Sequence, residues 1–376
     1  MKVLINLATL KKGGGQNVGL NFLESLQRLE LDGMKIVFAV ARDTEISKFI
    51  IRKESTVIFF SKNPILRMLK ELMLGWYLIK KYQIDIVYSY FGIGLYPKSI
   101  PQISGSADSN LYFPEIDFWK NESTLKKIIN YFKDKYRIWG LKKATAVVFE
   151  NESMEKKGKE LFGLNKTTFI KPSINTDFPY QELNLDSDEI SNNKKVGLFL
   201  CGYQKNKNYT LIPELAFELN KRGYPFHFLF TAPKNGAIEQ KKFESTAAVL
   251  GVHNHISIIG QVKKEELKSL YNKVDFVFLL SNLESFSNNI IESWYFEKPL
   301  IISDETWSRS ICNDAGVFVD RSDINDISDK VIKLISNQDL YKSEIEKGKI
   351  MLSVYPSIDE RTEQELSYIN EIFKSH

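Results

Sequence analysis

One rhythm constrains this chain more than any other feature. Short β-branched or aromatic runs alternate with longer amphipathic stretches, and the series is played twice. Strands of period two separated by helices of period 3.6 are the signature of βα units, which exclude a sandwich or a helical bundle. The first series predicts strands at Lys2 to Leu7, Lys35 to Ala39, Thr56 to Phe60, Ile84 to Ser89, Gln102 to Ile103, Ala146 to Phe149 and Thr168 to Ile170. Helices are predicted between them, notably at Gln16 to Leu29, Leu66 to Tyr82 and Ser123 to Lys142. The series stops at Lys171-Pro172-Ser173-Ile174, and a polar, acidic stretch with a proline runs on to Asn193. A second series then gives strands at Lys195 to Leu200, Phe226 to Thr231, His255 to Ile259, Phe276 to Leu280, Leu300 to Ser303 and Val317 to Val319. With 376 residues, more than one hydrophobic core usually serves, two α/β domains are expected. The expected division is an N-terminal α/β domain over 1–175, a linker over 176–193 and a C-terminal α/β domain over 194–355. A C-terminal helix over 356–376 follows the breaker Pro356, with the N-terminal domain as the surface it is expected to pack against.

The N-terminal run MKVLINLATLKKGGG is too short in its apolar part for a signal peptide and is expected to be a first strand. No uncharged apolar run of about 18 residues is present, so a spanning helix is not expected. Cys201 and Cys312 lie far apart without paired spacing, which points away from a disulfide framework and toward a cytoplasmic setting. The net charge of +4 hides an asymmetry: residues 1–178 hold 28 Lys+Arg against 18 Asp+Glu, whereas the remainder hold 23 against 29. A basic half beside an acidic half suits an anionic partner, phospholipid or nucleic acid.

Two segments carry chemistry. After the first strand, Gly13-Gly14-Gly15 opens a helix, and the amides of Gly14 and Gly15 could meet phosphate there; a flexible turn is the plain alternative. The match to the dinucleotide fingerprint or to a P-loop is poor, because the third dinucleotide-binding glycine and the Lys-Ser/Thr pair are missing, which counts against a dehydrogenase reading. The second segment runs from Ser281 to Glu292, where Glu284 follows a predicted strand and Glu292 falls on the next predicted helix. In open α/β sheets the carboxyl edge of the strands is where ligands bind. Two carboxylates at this spacing can accept hydrogen bonds from two sets of hydroxyls, with the amides of Ser287, Asn288 and Asn289 near the helix start available to a diphosphate. A solvated loop glutamate and a surface helix glutamate are the alternative. His253-Asn254-His255 has no Asp, Glu or Cys cluster beside it, so no metal is expected.

The Glu284 to Glu292 segment resembles the Glu-x7-Glu signature of the retaining GT-B glycosyltransferases of family 4, the group 1 type. Gly260-Gln261-Val262, Leu270-Tyr271, Val274-Asp275, Lys298-Pro299 and Asp314-Ala315-Gly316 resemble the family around it. The resemblance runs from about Gly197 to Val319 and is weaker elsewhere. It implies a GT-B architecture, two Rossmann-like domains facing each other across a cleft, with the donor held mainly by the C-terminal half. Glu284 would contact hydroxyls of the donor sugar, Glu292 the ribose, and backbone near Val262 the base. The loop Cys201-Gly202-Tyr203-Gln204-Lys205-Asn206-Lys207-Asn208 occupies the place of the family's basic pair. Lys207 matches the pair's lysine, and Gly202 lies in the same donor-binding loop. The arginine of the pair has no counterpart, since Tyr203 or Gln204 stands there, and Lys205 is its expected replacement. The N-terminal histidine of many members is also absent. In its loop, Ser104 to Asn110, Ser106 and Asp108 are the candidates for sugar or acceptor contact, with a cap or turn role open beside it.

Ser123 to Ala144 interleaves aromatic and aliphatic residues with seven Lys or Arg on one predicted helix, and Pro64 to Tyr82 is similar but more apolar. Such helices can lie in an anionic membrane interface. No nucleic-acid motif accompanies the charge. The expected activity is transfer of a sugar, of the hexosyltransferase class, from a nucleotide diphosphate donor to a glycan or polyprenyl-linked acceptor, without cofactor, in bacterial surface polysaccharide synthesis. A sugar-nucleotide epimerase and a catalytically silent partner protein of the same fold stay open.

Overall fold

A computed structural model of the chain describes residues 1–51, 55–96, 99–119, 122–174, 178–185 and 194–376. Two compact units emerge, one comprising Met1–Ile174 with Pro356–His376 and the other Asn175–Tyr355. Most of the expected linker, 176–177 and 186–193, lies outside the described residues. Its described part belongs to the second unit, where Phe178 packs against Tyr295 and Phe296 and the Leu183 amide donates to Ser269 Oγ at 3.0 Å.

The first unit is built on seven parallel strands, β1 (Lys2–Asn6), β2 (Lys35–Ala41), β3 (Val57–Phe60), β4 (Ile86–Ser89), β5 (Gln102–Ser106), β6 (Ala146–Phe149) and β7 (Thr167–Phe169), in the order β3-β2-β1-β4-β5-β6-β7. Its helices are α1 (Gly13–Leu26), α2 (Glu45–Ile51), α3 (Pro64–Met73), α4 (Gly75–Tyr82), α5 (Thr124–Lys143) and α6 (Glu152–Phe162). Strand order reverses between β1 and β4, which makes that pair the switch point of the sheet. β1 and β4 are buried on both faces, as parallel strands covered by helices must be, which is why they read as unbroken apolar runs.

Three sequence expectations need correction here. α1 begins at Gly13, not Gln16, because the glycines form its first turn rather than a loop before it. The expected helix Leu66 to Tyr82 is two helices, broken at Leu74, since a Cβ on Gly75 would collide with the backbone of Tyr96 crossing there. Ser104, Gly105 and Ser106 are not loop but the end of β5. Their weak strand propensity is overridden by a fully buried central position, where a Cβ on Gly105 would approach the Phe91 nitrogen to 2.9 Å.

The second unit has six parallel strands, β8 (Lys195–Phe199), β9 (Phe226–Phe230), β10 (Ile256–Ile258), β11 (Phe276–Leu279), β12 (Leu300–Ser303) and β13 (Val317–Val319), ordered β10-β9-β8-β11-β12-β13. Around them lie α7 (Leu211–Lys221), α8 (Ile238–Val249), α9 (Leu267–Asn272), α10 (Asn288–Tyr295), α11 (Thr306–Cys312), α12 (Ile324–Ser336) and α13 (Gln338–Leu352). A stack of phenylalanines fills the sheet: Phe199 and Phe278 lie face to face at 5.0 Å, and Phe228 packs on both. Gly197 makes room for them, as a Cβ there would come within 2.7 Å of the Phe278 ring. The switch point of this sheet is between β8 and β11. β10 starts one residue later than expected because His253–His255 forms a short 3-10 turn, fixed by His255 Nδ1 at 3.0 Å from the Phe226 carbonyl.

The last helix, α14 (Ile358–Lys374), returns to the first unit. Leu366, Ile369 and Ile372 enter the same core as Phe22 and Leu26 of α1, and Asp359 receives both Nε and Nη2 of Arg28 at 3.1 and 2.5 Å. Beneath them is a buried ionic cluster: Arg361 donates to Glu150 at 2.6 Å and to Glu365 at 3.1 Å, and Tyr90 donates to Glu365 at 2.7 Å. Tyr90 and Glu150 follow β4 and β6 directly, so α14 is bolted to the carboxyl edge of the sheet.

Candidate functional site

The switch point of the second sheet decides which loops meet. Loops leaving β8 and β11 diverge there, and the residues they carry become neighbours although some 75 positions separate them. The β8 loop bends at Gly202, with φ +59°, a region open to glycine without penalty. A 3-10 turn over Lys205–Lys207 ends on Asn208, whose φ of 51° is left-handed, a conformation asparagine tolerates better than most residues.

Three asparagines then join the loops. Asn208 Nδ2 donates to the Leu280 carbonyl at 2.7 Å and to Asn282 Oδ1 at 2.8 Å. Asn206 Nδ2 donates to the Leu283 carbonyl at 2.7 Å, and the Asn282 amide donates to the Asn206 carbonyl at 2.8 Å. Asn282 Oδ1 also accepts from Arg321 Nε at 2.9 Å, and Arg321 is itself paired with Glu305. Asn208 was noted in the sequence only as the neighbour of Lys207, and Asn206, Asn282 and Arg321 were given no role; an Asn-x-Asn pair in a turn after a strand was the available signal.

The stitching brings Lys207 Nζ to 2.9 Å from Glu284 Oε1 and 3.3 Å from Ser287 Oγ. Both charged side chains are largely withdrawn from solvent, Lys207 to 13% and Glu284 to 15% exposure. Ser287 stands at the N-cap of α10 without a side-chain capping bond, which leaves the positive end of that helix open to an anion. Asn288 is exposed in the first turn, whereas Asn289 is buried and spends its side-chain amide on the Leu200 carbonyl at 3.0 Å.

One helical turn further, Glu292 accepts from the Tyr271 hydroxyl at 3.0 Å. Burial pushes its carboxyl up to about 7, against the opposing pull of the Tyr271 hydrogen bond and the Lys207 charge. Tyr271 is fully buried on α9 and stacks on Phe296 at 4.5 Å, so its hydroxyl is a fixed donor. Burial also pushes the Cys201 thiol up to about 12, which makes it an inert neighbour rather than a nucleophile.

The structure thus gathers Lys207, Glu284, Ser287 and Glu292 into one polar cluster. Lys205 is exposed and makes no ion pair among the described residues. Val262 is half-buried in the turn between β10 and α9, which follows Gly260 at φ +84°. The remaining candidates belong to the first unit. Gly14 and Gly15 lie in the first turn of α1, whose N-cap Lys12 makes no side-chain capping bond. The Ser106 hydroxyl lies 2.6 Å from that of Tyr112, and Asp108 is paired with Arg137 at 2.8 Å. Burial raises the Asp108 carboxyl, with Arg137 and Lys133 opposing it. Among the described residues no group of three or more His, Cys, Asp or Glu is placed to hold a metal ion.

Residues 181–351, nearly the whole second unit, match the family model described as Glycosyl transferases group 1. An uncharacterized glycosyltransferase of Methanocaldococcus jannaschii is 29% identical over 98 residues, which span 26% of this chain and 28% of that protein. A crystal structure of a glycosyltransferase from Rickettsia africae ESF-5 superposes with a TM-score of 0.74 at 19% identity, covering 100% of this chain and 99% of that one. HepE of Anabaena, solved in complex with UDP-glucose, superposes with a TM-score of 0.69 at 14% identity, covering 100% of both chains. Residues 181–351 thus carry the pattern of the group 1 glycosyl transferases, and the chain as a whole shares the GT-B fold of solved glycosyltransferases.

Proposed function

We propose that the protein is a retaining glycosyltransferase that moves one sugar, of hexose type, from a nucleotide diphosphate donor to the hydroxyl of a glycan or polyprenyl-linked acceptor. The observation that carries the reading is the cluster at the β8/β11 switch point, where Lys207, Glu284 and Ser287 meet at the open N-terminus of α10. Retention, a bacterial surface polysaccharide as product and a cytoplasmic site of action rest on the family resemblance.

As the bond between the anomeric carbon and the diphosphate oxygen breaks, negative charge collects on the departing nucleoside diphosphate. The Lys207 ammonium and the amides of Ser287, Asn288 and Asn289 stabilise that charge, with Lys205 and Gly202 as further contacts to the donor. Lys205 is a point charge without a guanidinium's bidentate fork, so the larger share falls to Lys207. Glu284 accepts hydrogen bonds from the sugar and fixes its orientation, and Lys207 at 2.9 Å holds the carboxylate in place. Glu292 accepts from ribose hydroxyls, the backbone near Val262 receives the base, and Ser106 and Asp108 serve the acceptor side. This division of labour needs no metal and no other cofactor.

The Glu292 role predicts a pH dependence of binding. With its carboxyl at about 7, Glu292 is largely protonated at pH 6 and largely ionised at pH 8. Only the ionised form offers both oxygens as acceptors. The Kd of an intact nucleotide sugar, whose diphosphate does not titrate in this range, should therefore fall by up to about tenfold from pH 6 to pH 8. Calorimetric titration against UDP-, GDP- and ADP-sugars checks this, with Glu292→Gln expected to bind weakly and without the pH slope. A wild-type slope retained in Glu292→Gln removes the residue from the ribose site. The same shift predicts that the ligand-free protein loses stability as pH rises from about 4.5 to about 7, because the folded state binds the proton more tightly than the unfolded one.

A further inference from the structure

We propose that α3, α4 and α5 form a docking face for an anionic phospholipid surface. Thirteen of the 22 large apolar side chains that stand exposed among the described residues lie in just two segments, Ile65 to Tyr77 and Leu125 to Trp139. Ile65, Met73 and Trp76 from the first, with Leu125, Ile129 and Phe132 from the second, are each 52–73% exposed. Exposed apolar side chains scattered singly are ordinary, but a concentration of this kind marks a surface that meets something.

Tyr96 makes the two segments neighbours. Its amide donates to the Glu71 carbonyl of α3 at 2.9 Å, its hydroxyl donates to the Gly140 carbonyl of α5 at 3.2 Å, and its ring packs on Trp139 at 4.8 Å. Gly75 and Gly140 make the close approach possible: a Cβ on Gly75 would strike the Tyr96 backbone, and one on Gly140 would strike the Ile93 side chain.

Charge selects the occupant. Residues 64–82 hold four basic side chains against one acidic, and α5 holds seven against one. The single acidic residue of the first segment, Glu71, is buried. A second copy of the chain would bring like charge against like, which disfavours self-association through this face. An apolar protein surface would leave the lysines without partners. A bilayer with anionic head groups answers both demands, taking the apolar tips at the acyl boundary and the lysines at the phosphates. The lysines are already arranged for this, with Lys80 Nζ 5.4 Å above the Trp76 ring and Lys135 Nζ 5.3 Å above the Tyr131 ring, each stem lying along an aromatic surface. No helix among the described residues is long and apolar enough to cross a membrane, so the contact is peripheral.

The proposal deepens the polyprenyl-linked acceptor reading and rests on it for its purpose, but its test uses neither donor nor acceptor, so the two can fail separately. The full-length protein is sedimented with vesicles of phosphatidylcholine alone and of equal parts phosphatidylcholine and phosphatidylglycerol. Binding is expected only to the second, weakening about fivefold for each lysine removed in the set Lys80→Gln, Lys81→Gln, Lys127→Gln and Lys135→Gln. The triple variant Trp76→Ser, Ile129→Ser, Phe132→Ser should lose it almost entirely while melting like the wild type, since all three side chains already face solvent. Equal binding to both vesicles, or binding indifferent to both sets of substitutions, overturns the proposal. So does a dimer in light scattering that the triple variant abolishes, or duplex DNA binding lost with the lysines in the absence of vesicle binding.

Discussion

Lys207→Ala is expected to lower kcat by about 10²–10³-fold while changing KM for the nucleotide sugar far less. The asymmetry follows from when the charge is needed. In the bound donor the diphosphate is a diester whose charge is shared along its length, whereas bond cleavage concentrates a further charge on the leaving oxygen. An ammonium withdrawn from solvent to 13% exposure interacts with that charge in a medium of low dielectric, far more strongly than a surface lysine could. Glu284→Gln should fall by a comparable factor for a different reason. It keeps the shape of the side chain but loses the carboxylate that Lys207 and the sugar hydroxyls both use. Melting curves check that either variant is folded, because Asn206, Asn208 and Asn282, which hold the loops, are untouched. A kcat within threefold of wild type for both would remove the pair from the chemistry.

The largest effect on stability is expected far from that cluster, in Arg361→Met. Arg361, Glu150 and Glu365 are buried, with only 5%, 9% and 0% of their side-chain surfaces exposed, and the arginine pairs with both carboxylates. Removing one partner of such a cluster costs about 3–5 kcal/mol, because the remaining charges are left without compensation in a dry interior. The first unit should melt roughly 10 °C lower, and its transition should separate from that of the second unit, so two-state bookkeeping applies to each alone. The deficit depends on pH with a definite sign. Burial already raises the Glu365 carboxyl, against the pull of Arg361 and Tyr90, and losing the arginine raises it further. A carboxyl whose folded value lies above its unfolded one takes stability away as pH rises through that window. Arg361→Met is therefore expected to be closer to wild type at pH 5 than at pH 8, as measured by urea titration. A deficit independent of pH would mean that lost packing, not the orphaned carboxylates, is responsible.

Much of the fold could be read from periodicity because both sheets are parallel and covered on both faces. β6, β12 and β13 fall on the residues expected, since each is a short run of β-branched or aromatic residues with no competing pattern. The errors have tertiary causes. Leu74 interrupts an otherwise continuous helical pattern because another part of the chain passes Gly75, and nothing in the segment itself announces Tyr96. Ser104-Gly105-Ser106 extends β5 against its own propensity because its neighbours in the sheet enclose it. In the candidate site, Glu284, Glu292 and Lys207 could be singled out because the chemistry of a carboxylate or an ammonium marks a residue, and the family pattern added their spacing. The asparagines that join their loops carry no such mark, and neither does Tyr271, whose hydroxyl matters only because burial aims it at Glu292. Arg361 and Glu150 lie 211 positions apart in sequence, and on α14 alone Arg361 and Glu365 look like an ordinary surface pair.

The most direct test of the central claim is release of nucleoside diphosphate from a panel of nucleotide sugars, followed with and without a polyprenyl-phosphate-linked glycan and repeated with Lys207→Ala. The account predicts release from one donor, dependent on the acceptor, accompanied by a glycan heavier by one sugar, and reduced at least about a hundredfold in the variant. Release without acceptor that persists in Lys207→Ala, or no turnover and no binding of any donor by the wild type, would contradict it.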